Sequence, residues 1–96
     1  MIQSFRDETT ADLFRERNTR AARRIPSELW RVVQRKLKLL DTSARLQDLA
    51  IPAGNRLEGL KGKRAGRYSI RVNDQYRVTF RWGSGHASEV SVEDYH

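Results

Sequence analysis

Along the 96 residues the apolar positions change period once. Leu29, Val33, Leu37 and Leu40 follow the i, i+4, i+8, i+11 stripe of one helix face, and Pro26-Ser27 just ahead supplies a helix start. A shorter helix is predicted earlier, with Asp7-Glu8-Thr9-Thr10 as its acidic opening turn and Ala11 to Arg17 as its body. Met1 to Phe5 before it reads as an edge strand. Asp41-Thr42-Ser43 ends the long helix, a turn of helix around Leu46 and Leu49 follows, and Ile51-Pro52-Ala53-Gly54-Asn55 breaks the pattern. From Arg56 the period becomes two. Tyr68, Ile70 and Val72 alternate with Arg67, Ser69 and Arg71; Tyr76, Val78, Phe80 and Trp82 alternate with Arg77, Thr79 and Arg81; Ser88, Val90 and Val92 repeat the device. The expected fold class is α+β, a single domain over 1–96: a short N-terminal strand and two to three helices packed on one face of an antiparallel β-meander.

Alternation also fixes the hairpin register. A two-residue turn at Asn73-Asp74 pairs Val72 with Gln75 and sets an apolar face beside a polar one. A three-residue loop, Asn73-Asp74-Gln75, instead pairs Val72 with Tyr76, Ile70 with Val78 and Tyr68 with Phe80. On the opposite face it places Arg71 across from Arg77 and Arg67 across from Arg81. Like charges so placed repel, so folding alone gives no reason for them.

Composition adds a partner class. Nineteen Lys and Arg against twelve Asp and Glu give +7 and a pI near 10.6, with Arg outnumbering Lys fifteen to four. Such a field suits a polyanion, and guanidinium groups suit phosphate. Arg56 to Arg81 holds eight basic residues against Glu58 and Asp74, a net +6, while residues 82–96 carry −3. Glu89 and Glu93 fall opposite Arg81 and Arg77 in the meander, so a salt-bridge ladder competes with a phosphate-binding face. The phosphate face is favoured, because four arginines meet at most two acids. Arg56, Lys63, Arg64, Arg67, Arg71 and Arg81 are the expected RNA-binding residues. The five arginines between Arg15 and Arg24, and Arg31, Arg35, Lys36 and Lys38, read as solvated surface. With no cysteine, no secretory h-region and no membrane-length apolar run, the setting expected is cytoplasmic, with no membrane partner.

Candidate chemistry narrows by residue type. His86 and His96 lack ligand spacing, no phosphate-binding loop follows Gly59, and Gly83-Ser84-Gly85 is no nucleophile elbow. Metal-free RNA cleavage remains, in which the substrate's own 2′-OH attacks the neighbouring phosphorus; no cofactor is called for. Glu58, Lys61, Arg77, Tyr95 and His96 are the catalytic candidates, since the reaction needs proton-transfer groups and positive charge.

Three stretches carry a family resemblance: Asn55-Arg56-Leu57-Glu58-Gly59-Leu60-Lys61-Gly62, then Tyr68 through Val78 around the Asn-Asp-Gln hairpin, and the ending Glu93-Asp94-Tyr95-His96. Together with Met1 to Phe5 they resemble HigB toxins of the RelE/ParE superfamily. The resemblance implies a microbial-ribonuclease-like fold and ribosome-dependent mRNA cleavage. It also implies restraint by a HigA-like helix-turn-helix antitoxin, with operator DNA reached only through that antitoxin. By the family pattern Lys61 and Arg77 steady phosphate charge, while Tyr95 and His96 orient the nucleotide and exchange protons. Some members carry histidine where this chain has Glu58. Glu58 is then either the base that takes the 2′-OH proton, with His96 protonating the leaving 5′-oxygen, or an ion-pair partner of Arg56 or Lys61. Two rival functions keep the same basic hairpin: a ParE-like gyrase inhibitor, against which Tyr95-His96 argues, and a non-catalytic basic RNA-binding protein.

Overall fold

The computed structural model describes residues 1–95. Helix α1 spans Glu8–Phe14, begun by Asp7, whose carboxylate accepts the Thr10 N–H at 2.8 Å. It stops before the expected Arg17 because Glu16 turns left-handed (φ 57°) and the Arg17 N–H closes back on Asp12 O at 2.8 Å. That is the backbone pattern by which a helix end satisfies its last carbonyls. A 3-10 turn at Ser27–Leu29 leads into α2, Trp30–Thr42, whose Val33, Leu37 and Leu40 are fully buried. Leu29 thus lies in the turn ahead of the helix whose stripe it continues. The turn expected around Leu46 and Leu49 is a 3-10 turn at Leu46–Ala50.

Four strands follow: β1 Glu58–Gly59, β2 Arg67–Arg71, β3 Tyr76–Gly83 and β4 His86–Asp94. They form one antiparallel sheet in the order β1-β2-β3-β4. The β2–β3 register is the one alternation required: Tyr68 faces Phe80, Ile70 faces Val78, and Arg67 and Arg71 face Arg81 and Arg77. Asn73 holds the three-residue loop, its Oδ1 accepting the N–H groups of Gln75 (2.9 Å) and Tyr76 (2.7 Å). Residues 1–6 run parallel to β4 as two isolated bridges, Ile2 to Ala87 and Phe5 to Val90, so the opening run is a lane beside β4 rather than a full strand.

Between β3 and β4 the register slips by one residue after Thr79. Glu89 takes up the extra residue in a left-handed conformation (φ 50°), a β-bulge at a non-glycine position. The helices cover the apolar face of the sheet. Leu13, Leu37, Leu40 and Leu49 meet Ile70, Val78, Phe80 and Val90 there in one core, and Tyr68 stacks on Phe80 with centroids 6.1 Å apart.

Candidate active site

The sheet's other face is polar yet largely closed to solvent. One transverse row reads Glu58, Ser69, Thr79, Ser91 from β1 to β4, and the last three are buried. Arg77 donates to Ser69 and Arg67 to Thr79, Ser91 donates to Asp7 Oδ2 at 2.7 Å, and a 3-10 turn at Gly62–Arg64 in the β1–β2 connection lets Arg64 reach across the face to Glu93 at 2.5 Å. Thr79 donates to the same carboxylate oxygen. Burial alone would push the Glu93 carboxyl up; the hydrogen bonds from Arg64 and Thr79, with the charges of Arg64 and Arg6, outweigh it and hold the carboxyl below its ordinary range.

At one end of this face the arginines serve the fold. Arg67 is only 5% exposed. Its Nη2 donates to Glu89 O at 2.7 Å and to Thr79 Oγ1 at 3.3 Å, and Nη1 lies 3.4 Å from Glu89 Oε1. The bulge that displaces Glu89 also lets it serve a second cation, with Arg81 Nε at 3.1 Å from Oε2. Burial, then the nearby Arg6, lowers the Arg67 pKa from its ordinary value against the pull of Glu89. At the opposite, hairpin end Arg71, across from Arg77, pairs with Asp74.

The other end is open. Arg77 is 7% exposed, with Nε donating to Ser69 Oγ (2.8 Å) and Nη2 to the Arg56 carbonyl (2.7 Å). Its Nη1 has no hydrogen-bond partner among the described residues. Over the guanidinium lies the Tyr95 ring, 5.1 Å from Cζ to centroid, a cation–π contact made by a side chain that is itself 42% exposed. Tyr95 is fixed there through its N–H, which donates to Gln75 O at 2.6 Å, so the hairpin loop and the end of β4 clamp each other. Glu58 on β1 faces Ser69, the residue that accepts from Arg77. Among the described residues Glu58 enters no ion pair, so neither Arg56 nor Lys61 neutralises it.

Of the catalytic candidates, the fold therefore brings Glu58, Arg77 and Tyr95 around one end of the polar face, with Lys61 exposed two residues past β1. His96 lies outside the described residues. The expectation of one phosphate face shared by Arg67, Arg71, Arg77 and Arg81 needs correction. Two of the four are buried, and the ladder forms because one carboxylate, Glu89, serves two arginines while Asp74 takes a third. Arg64 is likewise paired. Among the described residues Arg56, Lys61 and Lys63 are exposed cations without such partners along the β1 side.

One supporting pair escaped the sequence reading. Asn55, fully buried, donates to Leu49 O at 3.0 Å and accepts from Lys36. It immediately precedes Arg56, whose left-handed backbone (φ 45°) presents its carbonyl to Arg77. Burial, followed by the charges of Arg35 and Arg71, lowers the Lys36 pKa, so Lys36 is not the solvated cation its helical spacing predicts. A lysine on the flank of an amphipathic helix carries no signal of such a partner.

Comparison with known proteins now bears on this geometry. Residues 3–96 match the HigB-like toxin family, RelE-like toxins of type II toxin–antitoxin system HigB. The chain is 44% identical over 73 residues to Toxin HigB-1 of Vibrio cholerae, covering 76% of this chain and 77% of that one. It is 31% identical over 96 residues to Endoribonuclease HigB of Proteus vulgaris, across the whole of both chains. Among solved structures it resembles the YoeB–YefM complex from Staphylococcus aureus (TM-score 0.61, 17% identity, 100% of this chain and 98% of that one). It also resembles a YoeB/ParE toxin from Agrobacterium tumefaciens (TM-score 0.57, 16% identity, 98% and 99%). At those identities the two structures speak for the α+β fold alone.

Proposed function

Because the chain belongs to the HigB-like family of RelE-like toxins of type II toxin–antitoxin systems, we propose that it is an endoribonuclease that stops translation by cutting mRNA on the ribosome without a metal ion. The observation that carries this reading is the convergence of an unpaired carboxylate, a clamped guanidinium and an exposed aromatic ring at one end of the polar face: Glu58, Arg77 and Tyr95. A base stacks on Tyr95, and the adjacent phosphate meets Arg77 Nη1 and Lys61. Glu58 takes the 2′-OH proton as that oxygen attacks phosphorus; the bond to the 5′-oxygen breaks, and His96 protonates the leaving group. Arg77 and Lys61 bear the extra negative charge of the pentacovalent phosphate. Arg56 and Lys63 hold the flanking backbone. A HigA-like antitoxin restrains the protein in the cytoplasm, a reading supported by the family's place in type II toxin–antitoxin systems, while the relative named as an endoribonuclease supports the cleavage.

The test adds purified protein to translating ribosomes and maps new mRNA 5′ ends. Lys61→Ala should remove the cuts, and Glu58→Gln should lower single-turnover cleavage about 10²-fold or more. Unchanged cleavage in Glu58→Gln removes Glu58 as the base. Supercoiling failure with intact mRNA would instead indicate a gyrase target.

A further inference from the structure

Pairing within the sheet shifts the free positive charge to the helical side of the molecule. Among the described residues all four ion pairs lie on the sheet and its connections. The segment from Arg15 to Lys38 holds nine Lys and Arg against Glu16 and Glu28, a net +7, and enters none of them. On α2, Arg31, Gln34, Arg35 and Lys38 occupy i, i+3, i+4 and i+7, one helix face about 10 Å long at 1.5 Å per residue. With Phe14 and Glu16 from the end of α1 they line an open groove. Val33, Leu37 and Leu40 on the same helix point into the core, so this stripe faces away from the sheet and from Tyr95.

We infer that this groove binds the sugar-phosphate backbone of double-helical RNA, as a second RNA contact separate from the cleavage site. Three exposed cations against the single carboxylate of Glu16 select a polyanion. Among the described residues the exposed large apolar side chains are Met1, Ile51 and Tyr95, none of them in the groove. In the groove itself Phe14, half-buried against Phe5, is the one large apolar side chain, so a protein partner would find a single partly covered anchor and a single strand one partly covered ring for its bases. What the groove offers is charge at helical spacing, which suits the phosphates lining an RNA duplex. This inference deepens the reading of the chain as an RNA-cutting toxin, yet its test needs no cleavage.

The probe is a short fluorescent RNA duplex with 2′-O-methyl sugars, which has no 2′-OH to attack. Its anisotropy is followed against the full chain across salt concentrations. The triple variant Arg31→Gln, Arg35→Gln, Lys38→Gln, all exposed positions, should bind at least about tenfold more weakly. Its log–log salt slope should be shallower by about 3, one phosphate contact per cation. The control Arg20→Gln, Arg23→Gln, Arg24→Gln removes equal charge outside the groove and should keep most of the affinity. An unchanged slope in the first variant, an equal loss in the control, or equally weakened binding of a single-stranded probe overturns the groove. If the triple variant keeps duplex affinity but no longer captures an acidic protein, the groove serves that protein instead. Should the native chain bind duplex but leave mRNA intact on ribosomes, the cleavage reading falls and the groove stands.

Discussion

The two ends of the sheet's polar face use the same residue type to opposite effect. Around Arg67 and Arg81, Glu89 bridges the two guanidinium groups while its carbonyl and Thr79 accept from Arg67, so that end is an electrostatic joint between β2, β3 and β4. Around Arg77 the guanidinium is anchored on two sides by Ser69 and the Arg56 carbonyl and capped by an exposed ring, while Glu58 beside it stays unpaired. Arg67, buried with both terminal nitrogens engaged inside the sheet, stabilises the fold; Arg77, held rigid with Nη1 to spare among the described residues, is pre-organised for a ligand. The comparison therefore predicts that removing chemically identical side chains will separate activity from stability.

The largest effect is expected at the open end. Arg77→Ala should lower single-turnover cleavage by about 10²–10³-fold per folded molecule, the range for losing one pre-organised charge donor. Cleavage within threefold of the native rate would end the distinction between the two arginines. Next in size, Arg67→Ala should cost about 2 kcal/mol of stability in a urea titration, because it strips hydrogen bonds from a buried Thr79 and from the bulge carbonyl. The folded fraction of that variant should still cut at close to the native rate. A stable variant would show that the bulge at Glu89 holds without its cation.

How far each end was legible follows from the same contrast. Parity and register alone placed Arg67, Arg71, Arg77 and Arg81 on one face, since a single-residue slip would have buried their side chains among Ile70, Val78 and Phe80. Parity says nothing of what lies over a face. Arg64 crosses it from a 3-10 turn whose sequence, Gly62-Lys63-Arg64, reads only as a basic loop. The bulge was equally hidden: Glu89 has no special tolerance for positive φ, and its conformation is paid for by the two arginines it meets. The open end was more legible, because Tyr95 and Arg77 share parity and Glu58 sits on the first strand of the meander.

A pH titration sharpens the comparison at intermediate scale. Glu93 has a folded-state pKa below its ordinary 4.5. Its contribution to stability is therefore fully present above that value and is lost as pH falls from 4.5 through the folded pKa. Glu93→Gln should remove this acid-dependent component, so its urea midpoint falls less steeply than the native one in that window. Parallel curves for the two proteins would mean that the bridge to Arg64 contributes nothing to the closure of the face.

The smallest effect on folding should come from Tyr95, and there the contrast is most demanding. The ring is 42% exposed and its contact is a cation–π pair at 5.1 Å, worth about 0.5–1 kcal/mol at such a site. Its backbone bond to Gln75 O survives any substitution except proline. Tyr95→Leu should therefore shift the urea midpoint barely beyond error while losing the stacking platform, worth about 1–3 kcal/mol per base, which appears as weaker RNA binding. Tyr95→Phe keeps the ring and should restore that binding, whatever it does to the rate. If Leu and Phe behave alike, the ring does not hold a base, and the exposure of Tyr95 is a consequence of its place at the end of β4 rather than a feature of the site. If Tyr95→Leu instead unfolds the protein, the open end carries the fold as the closed end does, and the division between them fails.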